Sequence, residues 1–261
     1  MRPIRSALCL SLWAALGLGT LSGCARLPTT PAPPSSLTVG RAYLVLPPGN
    51  WVDLGSSDQL LTLLPEVGAT LPLQTRTIGL RGPGPGPDTD TNSVWLAVLQ
   101  VQTNSTNYPR SETRWTDTCP QQQDVLVEDA TAAETSKGTL TSHVRIDCLR
   151  FKRWASQDGW MQTNQPVLTQ WLLSHQASPA QAYSHLHYRY ATQGGAYVDI
   201  QAVVDQRLLR PPTRNNTEFL AAGRPGQAWI HALALAGRQS TAQLDGKLSV
   251  PAFPIALPLP R

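Results

Sequence analysis

Along this chain, short stretches of alternating apolar and polar residues are separated by Pro- and Gly-rich breaks. That pattern predicts many strands rather than a few long helices. Residues 39–46 read as a first strand, stopped by Pro47-Pro48-Gly49. Residues 57–64 read as a short capped helix ended by Pro65, and residues 74–80 as a strand. The run Gly82-Pro-Gly-Pro-Gly-Pro-Asp88 is a loop, because neither residue type sustains a helix or a ladder. Residues 93–103 are apolar on both faces in their first half, which predicts a central strand covered on two sides. In residues 139–154, Val144, Ile146 and Cys148 alternate, and the parity then changes at Leu149 and Phe151. A bulge or a sheet edge there would account for the change.

The second half continues the mixture. Asn164 as N-cap and Pro166 in the first turn predict a helix over 166–176, with Leu168, Trp171 and Leu172 on one stripe. Residues 182–209 predict a hairpin turning at Thr192-Gln193-Gly194. Leu186, Tyr188 and Tyr190 share one face of it, as do Val198, Ile200, Ala202 and Val204; Tyr188 would face Val198, and His187 would face Asp199. A turn or two of helix follows at 217–222. A longer helix starts at Pro225 and stops at Gly237, with Trp229, Ala232, Leu233 and Ala236 as its buried stripe. The proline-rich end from Val250 is expected to lie extended on the surface. This order predicts an α+β fold: a single antiparallel sheet with helices packed on it, forming one domain over residues 40–255 with an extended tail at 256–261. In element order alone it resembles the PsbP-like fold of small exported domains.

The amino-terminal segment breaks this pattern and changes the picture most. Residues 6–20 carry no charge and are mostly apolar, Arg2 and Arg5 precede them, and Leu21-Ser22-Gly23-Cys24 follows. This is the layout of an export signal, too short and Gly-interrupted for a membrane span. The four residues at its end match a lipobox, and the segment resembles the signal peptides of bacterial lipoproteins. That resemblance implies a signal peptide at 1–23, cleaved after Gly23, and a diacylglyceryl group on the Cys24 sulfur. The new amino group would also be acylated, with palmitate. Ala25 stands where an aspartate would favour retention at the inner membrane, so the resemblance implies the periplasmic face of the outer membrane. The Pro/Ser/Thr-rich stretch after Cys24 cannot build a core and reads as a tether over 24–39.

Charge and cysteine content then narrow the chemistry. Arg2 and Arg5 belong to the leader, so 19 basic side chains face 17 acidic ones in the remainder, and nothing calls for a nucleic-acid partner. With Cys24 bearing lipid, Cys119 and Cys148 remain, and an oxidising compartment predicts a disulfide between them. A metal or catalytic thiol pair is the rival reading.

Candidate sites are few. Arg145, Arg150, Lys152 and Arg153 surround Phe151 and Trp154 and could hold an anion, or could be the solvated charges of an edge strand. His185 and His187 lie two apart on one strand face, with Asp199 nearby. They are the candidate metal ligands, the alternative being a polar sheet face. No Gly-x-Ser-x-Gly, His-Glu-x-x-His, Walker or dinucleotide pattern occurs, and no cofactor is implied. The expected role is therefore a lipid-anchored binding or scaffold module at the envelope, with the membrane as partner and another envelope protein as a candidate partner. The alternative is a periplasmic hydrolase or cell-wall-modifying enzyme whose site is assembled from distant residues. An accessory of a secretion or pilus machine is a third reading.

Overall fold

A computed structural model describes residues 36–63, 70–84, 93–106, 113, 115, 119–131, 143–243 and 246–257. The leader, Cys24 and most of the Gly/Pro loop lie outside the described residues.

The chain opens with β1 (Ser36–Val39) and β2 (Ala42–Val45), then β3 (Asn50–Thr62), β4 (Thr70–Pro83) and β5 (Ser93–Asn104). Next come β6 (Leu126–Asp129), β7 (Val144–Lys152), and helices α1 (Trp160–Asn164) and α2 (Pro166–Ser174). β8 (Tyr183–Thr192) and β9 (Tyr197–Asp205) form the hairpin. Helices α3 (Gln206–Leu209), α4 (Asn216–Ala221) and α5 (Arg224–Ala242) follow, and β10 (Lys247–Ser249) ends the described elements.

Seven strands make one antiparallel sheet in the order β3-β4-β5-β9-β8-β7-β6. The fold is α+β, as expected, but the sheet is not single. β1, β2 and β10 form a second, three-stranded sheet, antiparallel between β1 and β2 and parallel between β2 and β10. The stretch expected to be one strand over 39–46 is broken by a two-residue turn at Gly40 and Arg41. Gly40 has φ 51°, and a β-carbon there would lie 2.2 Å from the Asn104 carbonyl oxygen, so only glycine fits. The turn is pinned to β5 by Arg41 N donating to Asn104 O at 2.8 Å. Ser36–Val39, at the end of the stretch read as tether, pairs with β2.

The main core lies between one face of the large sheet and a second layer made by α5 and the small sheet. Ile78, Leu99, Val101, Leu186, Tyr188, Ile200 and Ala202 meet Leu44, Trp229, Ile230, Leu233 and Leu248 there. Helix α5 starts at the expected proline but does not stop at Gly237; it continues to Ala242. Gly237 is buried against Ile200 and Tyr188, where a β-carbon would lie 3.0 and 3.1 Å from their side-chain atoms. Its value is a close helix-to-sheet approach rather than a helix end. The buried stripe accordingly runs through Trp229, Ile230, Leu233, Ala234 and Gly237, and Ala232 is exposed.

Residues 57–62 are strand, not helix, and they form the edge half of β3. Pairing with β4 prevails over the helical spacing of the leucines, a tertiary override of a weak local signal. A register shift between Asp53 and Gly55, with Gly55 at φ 113°, lets β3 bend there.

The bulge in β7 falls between Val144 and Ile146 rather than at the parity change. No bulge is needed at Leu149, because β7 is covered on both faces. Ile146 and Cys148 join one cluster, while Leu149 and Phe151 join the main core. Helix α2 is entered from Gln165 without a side-chain cap, and Asn164 is the last residue of α1. Residues 251–253 are bound to the domain. Phe253 stacks between Trp229 at 4.9 Å and Trp51 at 6.3 Å, and Trp229 Nε1 donates to Pro251 O at 3.0 Å.

Candidate functional site

The face of the large sheet turned away from α5 is built from three zones. At one end Trp95, Val98 and Val203 pack under Met161, Leu168 and Leu172 of α1 and α2. At the other, Leu71, Leu73, Ile146, Cys148, Ala191 and Tyr197 pack together, with Trp115 and Cys119 against them. Between these apolar covers runs a polar belt. Its central rung follows the strand register from Thr77 to Gln100, Gln201, His187 and Arg150, across β4, β5, β9, β8 and β7. The adjacent rung carries Thr75, Gln102, Asp199 and Arg189. Strand residues two apart share a face, so each strand lends the belt alternate polar positions while its intervening residues fill the core.

Parts of the belt are hydrogen-bonded, while Gln201 Oε1 and Arg150 Nε are buried without a partner. Gln102 Nε2 donates to Thr75 Oγ1 at 2.8 Å and to Gln59 Oε1 at 3.1 Å, and Gln100 Nε2 to Thr77 Oγ1 at 3.3 Å. Asp199 is its electrostatic centre. Its Oδ2 lies 2.9 Å from His187 Nε2, accepts from Arg189 Nε at 2.9 Å, and accepts from the Tyr197 hydroxyl at 3.4 Å. Burial alone would raise this carboxyl, but the charges and hydrogen bonds of His187 and Arg189 outweigh it and hold the group below the usual carboxylate range.

His185 behaves oppositely. Its ring is 2% exposed, tilted against Trp160 with centroids 5.6 Å apart. Burial, with the charge of His187 in second place, pushes it down to about 3, so it is a neutral imidazole at physiological pH. The Gln201 side chain lies beside it and favours its charged form without outweighing the burial.

The expected disulfide is present: Cys119 and Cys148 are bonded, with Cα atoms 5.6 Å apart. It fastens the segment before β6 onto β7 and so delivers Gln122 to the belt. Gln122 Oε1 accepts from Arg150 Nη2, and its Nε2 donates to Asn164 Oδ1 at 3.0 Å.

The structure brings His187 and Asp199 into contact and sets His185 beside them, with ring centroids of the two histidines 6.4 Å apart. Among the described residues no group of three or more His, Cys, Asp or Glu is arranged to hold a metal ion. The four basic candidates do not converge. Arg150 faces the belt, and Lys152 Nζ sits 5.9 Å from the Trp160 ring. Arg145 Nη2 donates to Gln193 Oε1 at 2.7 Å, by the hairpin turn. Arg153 lies apart, with its guanidinium against Gly223.

The hairpin closes with Gly195, not Gly194, at positive φ, and Tyr188 pairs with Ile200 rather than Val198. A slip of two residues leaves every side chain on its expected face. The glutamine and threonine members of the belt carry no local motif. The one signal they leave is a polar pair two apart inside an apolar strand, as in Thr75/Thr77 and Gln100/Gln102.

Among the described residues, no helix is long and apolar enough to cross a membrane. Comparison with family models, curated proteins and solved structures finds no match for this chain.

Proposed function

We propose that this protein is a lipid-anchored lipoprotein of the bacterial envelope, held at the periplasmic face of the outer membrane by Cys24, whose domain binds a polar ligand or partner on the belt. The belt carries the binding half of the reading. A sheet face between two apolar covers is ordinarily apolar, because each buried polar group costs about 1–3 kcal/mol unless it is fully bonded. Five strands place polar side chains along one line, with Thr75, Thr77 and Asp199 buried, the others half-buried, and Gln201 Oε1 and Arg150 Nε lacking a partner, which favours selection for recognition over stability. Amides, hydroxyls, an imidazole and guanidinium groups side by side suit a ligand rich in hydroxyl, amide or carboxylate groups. The anchoring half rests on Leu21-Ser22-Gly23-Cys24 behind its apolar run. Several acyl chains on one residue hold a protein essentially permanently, since each buried methylene contributes about 0.8 kcal/mol.

Intact-mass measurement of the protein extracted from membranes tests the anchor. A mature chain beginning at an acylated Cys24 is expected, and an unmodified sulfur there overturns the assignment. For the belt, a photo-crosslinking residue at Gln100 in the acylated protein is expected to capture a defined envelope component. Replacing His187 and Arg189 by alanine should abolish that capture, and capture that survives overturns the site.

One observation favours an enzyme as the second reading. Asp199 orients the His187 imidazole as a carboxylate orients a general base. Under that reading His187→Ala removes turnover of a cell-wall substrate while leaving its binding intact.

A further inference from the structure

We infer that the surface formed by residues 210–224, together with Arg153 and Trp154, docks against an anionic phospholipid bilayer. Helix α4 projects two apolar side chains into solvent: Leu220 is 80% exposed and Phe219 49%. The turn is rigidly built. Asn215 Oδ1 accepts from Glu218 N at 2.9 Å, and Glu218 Oε2 accepts from Arg214 N at 2.8 Å. Glu218, the one acid in this stretch, is thus engaged in capping its own helix.

Cations ring the apolar tip. Arg210 stacks on Phe219, its Cζ 4.1 Å from the ring centroid, and lies 6.0 Å from the ring of Trp154. Its Nη2 donates to Phe219 O at 3.3 Å. Arg214 and Arg224 are exposed on either side of α4, and the Arg153 guanidinium reaches Gly223. A concavity of about 270 Å³ opens beside them between Phe151, Arg153, Trp154 and Gln227, with Leu126 and Asp124 also lining it.

Exposed leucine and phenylalanine inside a ring of arginine, with a half-buried tryptophan behind, match the layers of a membrane interface. The apolar tip meets the acyl boundary, tryptophan the headgroup level and arginine the phosphates. Arg153, Arg210, Arg214 and Arg224 outnumber Glu218 and Asp124 around the tip, and this excess of positive charge selects an anionic surface. A protein partner would be expected to meet a flatter apolar patch with mixed charge at its rim.

One supporting point rests on the lipid-anchor reading: Cys24 keeps a bilayer within reach. The residues between Cys24 and β1 extend at most roughly 40 Å, against a radius of gyration of about 17 Å for a domain of this size. The tether therefore leaves the domain free to turn, and the surface around α4 would decide which of the reachable faces meets the bilayer.

The test uses the full acylated protein carrying Leu220→Cys, labelled with a polarity-sensitive fluorophore and reconstituted into vesicles. Leu60→Cys on β3, at a residue 65% exposed, is the control position. In vesicles containing phosphatidylglycerol, the label at 220 is expected to shift to the blue. It should not shift in phosphatidylcholine alone, and the label at 60 should shift in neither. Salt should reverse the shift, and Arg214→Gln and Arg224→Gln should each lower the docked-to-undocked ratio about fivefold.

A label at 220 that responds alike in both vesicles, or like the control, overturns the proposal. So does a shift without vesicles that grows with protein concentration, which would assign the surface to a second copy of the chain. Intact mass of the same samples reads the anchor separately. An unacylated Cys24 with a phosphatidylglycerol-dependent shift retains the docking surface and removes the anchor, and an acylated chain with no shift does the reverse.

Discussion

His187 Nε2 lies 2.9 Å from Asp199 Oδ2 although the two residues are not cross-strand partners; Asp199 is paired with Arg189, and His187 with Gln201. The contact is diagonal, so one carboxylate oxygen gathers an imidazole and a guanidinium nitrogen from two positions of β8. Removing the carboxylate leaves both without their shared acceptor.

Asp199→Asn is expected to destabilise the protein by about 3 kcal/mol at neutral pH, the cost of breaking a buried ion pair from one side. The folded carboxyl lies below its ordinary value of 3.8, so its contribution is complete above that value and fades as pH falls toward the folded one. Urea unfolding should therefore show wild type and variant far apart at pH 7 and converging at pH 2 to 3. A constant gap would remove Asp199 from this role.

His185 makes a separate contribution to acid sensitivity. Its folded value of about 3 lies below the unfolded 6.5, so between these values the unfolded chain binds a proton that the folded chain refuses. Stability falls as pH drops through that window, by at most about 1.4 kcal/mol per pH unit. His185→Asn is expected to flatten the dependence between pH 6 and 4, read from urea midpoints; an unchanged slope would contradict it.

The disulfide closes a loop with a sequence separation of 29. Cys119→Ser combined with Cys148→Ser should cost about 3.6 kcal/mol by chain entropy alone. The same variant should release Gln122 from Arg150. Amide exchange is expected to quicken over residues 119–131 while the β8–β9 hairpin stays protected.

Gly237→Leu drives a branched side chain into Tyr188 and Ile200, which a β-carbon alone would already approach at 3.1 and 3.0 Å. A loss of about 3 kcal/mol is expected from overpacking, despite the better helix propensity of leucine. Thermal unfolding measures it, and a neutral result would mean that α5 can move off the sheet at little cost.

Elements whose burial is written locally were legible in the residues. The two-sided apolar run at 93–103 is a central strand, and the alternation on either side of Gln193 is the hairpin. Elements decided by distant partners were not. Leu60, Leu63 and Leu64 stand at helical spacing, yet the pairing of β3 with β4 makes residues 57–62 strand. Leu248 sits in an undistinguished tail and becomes fully buried because β2 offers it an edge. Gly237 has the residue type of a helix stop, and only the facing sheet shows why it is glycine. The histidines and Asp199 were visible as candidates because such residues are rare in strands. The belt was not visible, because its members lie on five strands with no common spacing.

The parallel pairing of β10 with β2 ties residue 248 to residue 44, with both leucines sealed from solvent. Here the second strand must wait for residues some two hundred positions later before its edge is satisfied. The small sheet therefore cannot close until nearly the whole chain is available, and a contact of such long range makes its formation slow.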